Sequence, residues 1–188
     1  MKLYLIRHGE SENNKAAIWT GWMDARLTEQ GEAEARQAGK WLEGIVFDQV
    51  FSSDLIRAQK TTQLALPGAA YTCTPLLREI DLGTLAGQPL QALAGEAQQD
   101  CSQNGYARFG GETRDQFHGR IRTFLAQMEQ LECETVAAFC HGGWLRGALD
   151  EVFGLTLPRK ALQCRNCAMA ILEFKNGLWS LHSWINPS

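Results

Sequence analysis

Lys2-Leu3-Tyr4-Leu5-Ile6-Arg7-His8-Gly9-Glu10 and Thr135-Val136-Ala137-Ala138-Phe139-Cys140-His141-Gly142-Gly143 share one construction. Each begins as a short apolar run bounded by polar residues and glycine, which reads as a buried strand. Each run delivers a histidine at its carboxyl end, and the glycine that follows lets another group approach the backbone closely. In an open parallel sheet, ligands bind at the carboxyl ends of the strands. Two strand-end histidines, with Arg7 beside the first, predict a site that handles phosphate.

Working outward from these runs, strands and helices alternate. Thr28 can cap a helix reaching about Leu42, with Ala35, Ala38, Trp41 and Leu42 at helical spacing. Gln49-Val50-Phe51-Ser52 reads as a brief strand, after which Ser53 or Asp54 caps a helix that Pro67-Gly68 must end. Thr113-Arg114-Asp115-Gln116 has the form of a capping box, with Phe117, Ile121, Phe124, Leu125, Met128 and Leu131 on one apolar face behind it. A helix follows Gly142, and strands over about 168–174 and 178–184 form a hairpin around Asn176-Gly177. The expected fold is α/β: a layered sandwich with a mostly parallel central sheet flanked by helices and one antiparallel strand pairing at the C-terminus. The 188 residues fit one domain spanning 1–188. Within it, the glycine-rich stretch of about 80–111, with a helical patch near Leu90-Leu93, is expected to be a lid or substrate wall.

A net charge of −3 without a basic run argues against nucleic acid as a partner. The longest apolar stretches are strand-sized, so no membrane partner is expected. Met1-Lys2-Leu3 leads directly into the first strand without a signal-peptide cleavage pattern. Six cysteines in a core-rich chain of this size need not be staples. Together these features set the expectation of a reduced, cytoplasmic protein; a homodimer stays an open option. Cys164-Arg165-Asn166-Cys167 has C-x-x-C spacing, but no second pair completes a zinc site, and it precedes a strand where a redox dithiol would start a helix.

His8 is the leading candidate nucleophile, because a neutral imidazole at a strand end can attack phosphorus. Arg57, placed about one turn into the helix after the second strand, can reach the same sheet edge and bind phosphate oxygens bidentately, or be a solvated surface charge. Cys140-His141-Gly142-Gly143-Trp144-Leu145-Arg146 also satisfies C-x-x-G-x-x-R, the phosphate loop of cysteine-based phosphatases, with Cys140 as the rival nucleophile. That reading leaves Arg7-His8-Gly9 without a role.

Leu5-Ile6-Arg7-His8-Gly9-Glu10-Ser11, Asn14, Thr20-Gly21-Trp22, Leu27-Thr28-Glu29-Gln30-Gly31, Ser52-Ser53-Asp54-Leu55-Ile56-Arg57-Ala58, Thr61, Leu77-Arg78-Glu79, Gly110-Gly111-Glu112-Thr113 and His141-Gly142-Gly143 occur in that order. The ordered set resembles the histidine phosphatase superfamily, also called phosphoglycerate mutase-like, over nearly the whole chain. The resemblance implies that His8 becomes phosphohistidine and that Arg7, Arg57 and a cationic His141 bind the phosphoryl oxygens. It also implies that Glu79 is the proton donor, that Asn14 and Gly142 help hold the phosphate, and that the Thr20-Gly21 backbone meets the rest of the substrate. Without the resemblance, Glu79 is not separable from Glu10 or Glu112. Phosphoryl transfer is mostly positioning and charge stabilisation, so the cations imply no metal and no other cofactor. The arginines also disfavour protonation of His8, and a backbone carbonyl on its other ring nitrogen would fix the attacking tautomer.

A mutase must retain a doubly anionic substrate, yet Arg108 is the lone basic residue between Ile80 and Gly111, set against Asp81, Glu96 and Asp100. The expected activity is therefore a metal-independent phosphatase acting on a small phosphomonoester. Phosphoglycerate mutase-type transfer, the Cys140 mechanism and a non-catalytic binding protein on this fold are the alternatives. In the phosphatases it resembles, an acid often follows an aromatic or leucine in the loop after the proton donor. Here Gly83-Thr84-Leu85-Ala86-Gly87 has Ala86 in that place, which leaves broad-specificity and α-ribazole phosphatase readings both open.

Overall fold

The computed structural model describes residues 1–93, 95–156 and 162–187. Its strands are β1 (Lys2–Arg7), β2 (Gln49–Ser53), β3 (Thr72–Thr74), β4 (Thr135–Cys140), β5 (Met169–Lys175) and β6 (Leu178–Ile185), and its α-helices are α1 (Glu12–Lys15), α2 (Glu29–Trp41), α3 (Ile56–Ala65), α4 (Gly95–Asn104), α5 (Arg114–Glu129) and α6 (Gly142–Phe153). The strands form one sheet in the order β3-β2-β4-β1-β5-β6. β3, β2, β4 and β1 run parallel, whereas β5 is antiparallel to both β1 and β6.

The near-continuous apolar character of β1 and β4 follows from burial on both sheet faces. Side chains alternate across a strand, so Leu3 and Leu5 join Val136, Ala138 and Cys140 on the face covered by α5 and α6. Ile6, Ala137 and Phe139 point the other way, packed with Val50 of β2 and with Leu42 and Ala65 at the ends of α2 and α3. The α5 stripe read from the sequence is buried from Phe117 to Met128, while Leu131 lies past the helix end and is half-buried, and Phe124 stacks edge-on to both Phe51 and Trp144 at 5.7 and 5.5 Å. Truncating such a residue to alanine typically costs about 3–5 kcal/mol.

Thr28 caps α2, Thr113 and Gln116 form the capping box of α5, and Asn176 and Gly177 take the positive φ of a two-residue hairpin. Several details differ from the sequence expectation. Neither Ser53 nor Asp54 is the N-cap of α3; Leu55 is, its N–H donating to the Ser53 hydroxyl, because Asp54 is drawn into a bidentate pair with Arg78. The patch near Leu90 is only a 3-10 turn over Leu90–Ala92, and the helix of that segment is α4. β3 and α1 are too short and too polar to show a period. Leu82, Leu85, Leu93, Cys101 and Tyr106 give the 80–111 stretch a small apolar core of its own, against which Trp19 packs.

Gly9 explains how closely the first strand end is held. A Cβ there would lie 2.3 Å from the Gly31 carbonyl oxygen, and a Cβ on Gly31 would lie 2.0 Å from that of Glu10. The start of α2 thus rests directly on the backbone that follows His8.

Candidate functional site

Adjacent parallel pairing of β1 and β4 in the register Arg7↔Cys140 brings the two strand-end histidines together, with ring centroids 5.0 Å apart. β2 lies on the other side of β4, and α3 rises from its end with Arg57 in the first turn. The edge strand β3 runs into a 3-10 turn, Pro75–Leu77, and then to Glu79. A pocket of about 410 Å³ opens at this end of the sheet, lined by Arg7, His8, Asn14, Thr20, Gly21, Arg57, Glu79 and Gly142 among others. Of the residues singled out from the sequence, His141 does not line the pocket surface; it is fully buried beneath it, against His8.

The His8 ring is oriented from both sides. Its Nδ1 lies 2.7 Å from the Gly9 carbonyl oxygen, which can only accept, so Nδ1 carries the hydrogen and Nε2 the lone pair. Arg57 Nε donates to that lone pair at 3.3 Å. Burial holds the His8 pKa well below its ordinary value, and the Arg57 and Arg7 charges push it further down. The tautomer and the neutral ring expected from the sequence are both present, but burial rather than the arginines is the larger cause.

Arg57 is 1% exposed, which removes the reading of it as a solvated surface charge. Its Nη atoms donate to the carbonyls of Gly21 and Met23, both at 2.8 Å, so the backbone of Gly21–Met23 serves to aim this guanidinium. Burial draws Arg57 down to about 10, which leaves it charged at neutral pH. A buried cation held by carbonyls rather than by a carboxylate costs several kcal/mol unless an anion joins it. Arg7, half-buried, adds a second charge: it donates to the Cys164 carbonyl, and its Nε is buried without a partner among the described residues.

His141 departs from the expectation of a cation. Burial first, then the charges of Arg57 and Arg7, hold its pKa well below the ordinary value, so the ring is neutral in the free protein. Its Nε2 lies 2.9 Å from Ser53 Oγ, which also accepts the Leu55 N–H and can donate to the ring or accept from it. Its Nδ1 is a buried atom without a protein partner among the described residues. The positive charge of the site thus comes from arginine, with His141 a neutral ring behind it. Imidazole ¹⁵N shifts test this directly: both rings should remain neutral at pH 6, where an ordinary histidine is largely protonated. Protonated signals for both at that pH would overturn the assignment.

Apart from the family resemblance, three carboxylates were indistinguishable by sequence, and the structure separates them. Glu10 accepts from the Thr28 hydroxyl at 2.7 Å, and Glu112 pairs with Arg120 at 2.6 Å. Glu79 is the one that lines the pocket. Its oxygens accept the N–H groups of Ile80 at 2.9 Å and Gly143 at 2.8 Å, the latter in the first turn of α6, where a helix favours negative charge. Each oxygen keeps a further lone pair for a proton. A Cβ on Gly143 would sit 2.2 Å from Glu79 Oε1, so this approach needs glycine.

Asn14 lies at the rim, its Oδ1 accepting from Ser11 N–H and Asn166 Nδ2 at 3.2 Å each. The Cys164–Cys167 loop has a supporting role that the C-x-x-C spacing did not suggest: besides the Cys164 carbonyl on Arg7, Cys167 N–H and Asn166 Nδ2 both donate to the His8 carbonyl. Burial raises both thiols, Cys167 to about 12, so they are not a reactive dithiol. Cys140 is fully buried in the core, and burial, with Cys164 and Glu79 nearby, pushes its thiol well above the ordinary range. It supplies no thiolate to the pocket.

Arg146, Trp19 and Tyr106 also line the pocket and were not assigned to it from the sequence. Arg146 follows Gly142 and Gly143 by four and three residues, one helical turn, which places it on the same face of α6; that spacing was legible. The two aromatic residues come from separate loops and carried no signal. Arg108, the basic residue considered for the wall, is instead turned to Asp100 at 3.5 Å.

Among the described residues, no helix is long and apolar enough to cross a membrane, and no group of three or more His, Cys, Asp or Glu side chains could hold a metal.

The family model for the histidine phosphatase superfamily (branch 1) matches residues 3–187. A 2,3-bisphosphoglycerate-dependent phosphoglycerate mutase of Methylobacterium radiotolerans is 39% identical, the match covering 82% of this chain and 80% of that protein. The crystal structure of phosphoglycerate mutase from Thermus thermophilus superposes with a TM-score of 0.77 at 29% identity, covering 100% of both chains. A mutant phosphoserine phosphatase from Entamoeba histolytica, in complex with phosphoserine, superposes with a TM-score of 0.84 at 25% identity, covering 97% of this chain and 95% of that one. With the strand-end histidines, the buried arginines and the pocket carboxylate arranged as described, the chain belongs to the histidine phosphatase superfamily.

Proposed function

We propose that the chain is a phosphohistidine enzyme that hydrolyses a small phosphomonoester. The observation that carries the reading is the His8 imidazole: neutral, aimed by the Gly9 carbonyl, with its Nε2 lone pair directed to Arg57 at the pocket floor. In the first step Nε2 attacks phosphorus while the bond from phosphorus to the bridging oxygen breaks. Glu79, protonated, gives its hydrogen to that oxygen, and the product leaves as an alcohol. Arg7 and Arg57 bind the phosphoryl oxygens, His141, as its Nδ1–H tautomer, donates to another, and Asn14 and Gly142 flank them. In the second step water attacks phosphorus, the P–N bond breaks, and Glu79 recovers a proton from that water. Inorganic phosphate leaves and His8 regains its lone pair. The 80–111 stretch acts as the wall against which the leaving group packs.

Two observations bear on the acceptor. Ile18, Trp19, Ile80, Leu82, Leu90 and Tyr106 make much of the remaining lining apolar or aromatic, a wall that supports release of a small alcohol over retention of a second phosphate. The second reading, return of the phosphoryl group to phosphoglycerate, has support in the names of the relatives and in Arg146, a pocket cation outside the phosphoryl set. In that case a substrate hydroxyl replaces water in the second step.

Following 3-phosphoglycerate and 2,3-bisphosphoglycerate by ³¹P NMR, with EDTA present, separates the two. Accumulating inorganic phosphate is the expected result, unchanged by the chelator because arginines supply the positive charge. Interconversion of 2- and 3-phosphoglycerate faster than phosphate release would assign the mutase. Dependence on added magnesium would sink the metal-independent mechanism. No turnover here or on p-nitrophenyl phosphate would leave a binding protein.

A further inference from the structure

Arg120 lies on α5, outside the pocket lining, yet it is bonded to the backbone of the segment that bears Glu79. Its Nε and Nη2 grip Glu112 at 2.6 and 2.7 Å. Nη1 donates to the carbonyls of Leu76 at 3.1 Å and Arg78 at 3.0 Å, with Pro75 at 3.4 Å, and Nη2 donates also to the Glu79 carbonyl at 3.1 Å. All five guanidinium N–H groups are thereby engaged. Trp22 Nε1 donates to the same Glu79 carbonyl at 2.7 Å, while the Trp22 ring lies 4.8 Å beneath the Arg78 guanidinium. Beyond Glu79, the Glu112 carboxylate accepts the Asp81 N–H at 2.9 Å and the Glu112 N–H donates to the Asp81 carbonyl at 3.0 Å. The chain is thus held before Glu79, at Glu79 and after it.

The extent of this arrangement exceeds what one loop needs to stay folded. Leu77 already anchors the segment in the core, and Trp144 Nε1 bonds the Leu76 carbonyl at 2.8 Å. A side chain 16% exposed that spends every donor on one salt bridge and the carbonyls of one short segment defines the position of the backbone closely. From that backbone the Glu79 carboxylate reaches its seat on the Gly143 N–H. We infer that Arg120, with Glu112 and Trp22, is a positioning clamp that sets the Glu79 carboxyl at the distance from the phosphoryl site where it can pass a proton to the leaving oxygen. This rests on Glu79 being the proton donor.

The test is Arg120→Lys, which keeps the charge but has three donors on a single nitrogen and cannot bridge Glu112 to the carbonyls. Misplacing a reacting group by about 1 Å costs on the order of 100-fold, so kcat on an alkyl phosphate should fall about 10- to 100-fold. On p-nitrophenyl phosphate, whose phenolate departs without a proton, kcat should hold within about 3-fold. Because Arg120 acts through Glu79, Arg120→Lys added to Glu79→Gln should be no slower on the alkyl phosphate than Glu79→Gln alone. Equal losses on both substrates, or losses that multiply with Glu79→Gln, would reduce Arg120 to a structural role and overturn the clamp. If Glu79→Gln by itself shows no leaving-group dependence, the proton-donor reading fails and the clamp with it, an outcome readable without any Arg120 variant. Should thermal melting show that Arg120→Lys does not fold, Trp22→Phe decides by the same criterion. It removes one hydrogen bond at a residue 36% exposed and should cost the alkyl phosphate alone about 3- to 10-fold; no selective loss would overturn the clamp.

Discussion

His8→Ala should abolish covalent phosphoryl labelling and lower turnover on the order of 10⁴-fold or more, as loss of a nucleophile does when the rest of the site survives. Labelled wild-type protein, denatured, should hold phosphate that is lost in acid and survives alkali, the behaviour of a phosphoramidate bond to imidazole. Cys140→Ser should retain most activity. The contrast follows from the two environments. Cys140 points into the α5–α6 face of the sheet, fully buried, with its thiol held protonated. The His8 ring is also nearly buried, at 4% exposure, but burial acts oppositely on the two groups because it disfavours whichever form is charged. For a thiol this removes the nucleophile; for an imidazole it preserves it. Full activity in the His8 variant with loss in the Cys140 variant would transfer the chemistry to the cysteine.

The same two strands show what could be read from sequence. The apolar runs ending in His8 and His141 announced two buried strands with ligands at their carboxyl ends, and the register of β1 on β4 delivers that. The caps at Thr28 and Thr113, and the Asn176-Gly177 turn, were legible because each is a local rule satisfied by its own side chain or its own φ. The N-terminus of α3 broke the local rule because Asp54 is claimed from a distance by Arg78. β3 has three residues and no period, so the strand that carries the chain to Glu79 left no trace.

In the site, residue types were legible and charge states only partly so. The His8 tautomer could be anticipated, since a histidine beside glycine at a strand end has a carbonyl within reach. The neutrality of His141 could not, because it depends on complete burial and on the summed field of Arg57 and Arg7, neither of which is a neighbour in sequence. Arg146 stood in a motif weighed for a different mechanism, and the helical spacing that turns it toward Gly142 and Gly143 went unused. Apart from the family resemblance, choosing among Glu10, Glu79 and Glu112 needed tertiary partners: Thr28 occupies the first, Arg120 the last, and the pocket is left to Glu79.

That choice carries the second large effect. Glu79→Gln should lower kcat on alkyl phosphates by about 10²- to 10⁴-fold, the usual worth of a general acid, while p-nitrophenyl phosphate turns over within a few-fold of wild type. An alkoxide is a poor leaving group and needs a proton as the P–O bond breaks, whereas p-nitrophenolate does not. Glutamine keeps the length of the side chain and can still accept one of the two backbone N–H bonds at Ile80 and Gly143, but its amide has no acidic proton to give. The p-nitrophenyl substrate therefore reports whether His8, Arg7 and Arg57 remain in place, and the alkyl substrate reports proton transfer. Comparable losses on both would mean that Glu79 orders the pocket without donating. No other carboxylate lines it among the described residues, so the proton would then have to come from solvent or from the phosphate monoanion itself, and the rate would track the protonation of the substrate instead of an enzyme acid.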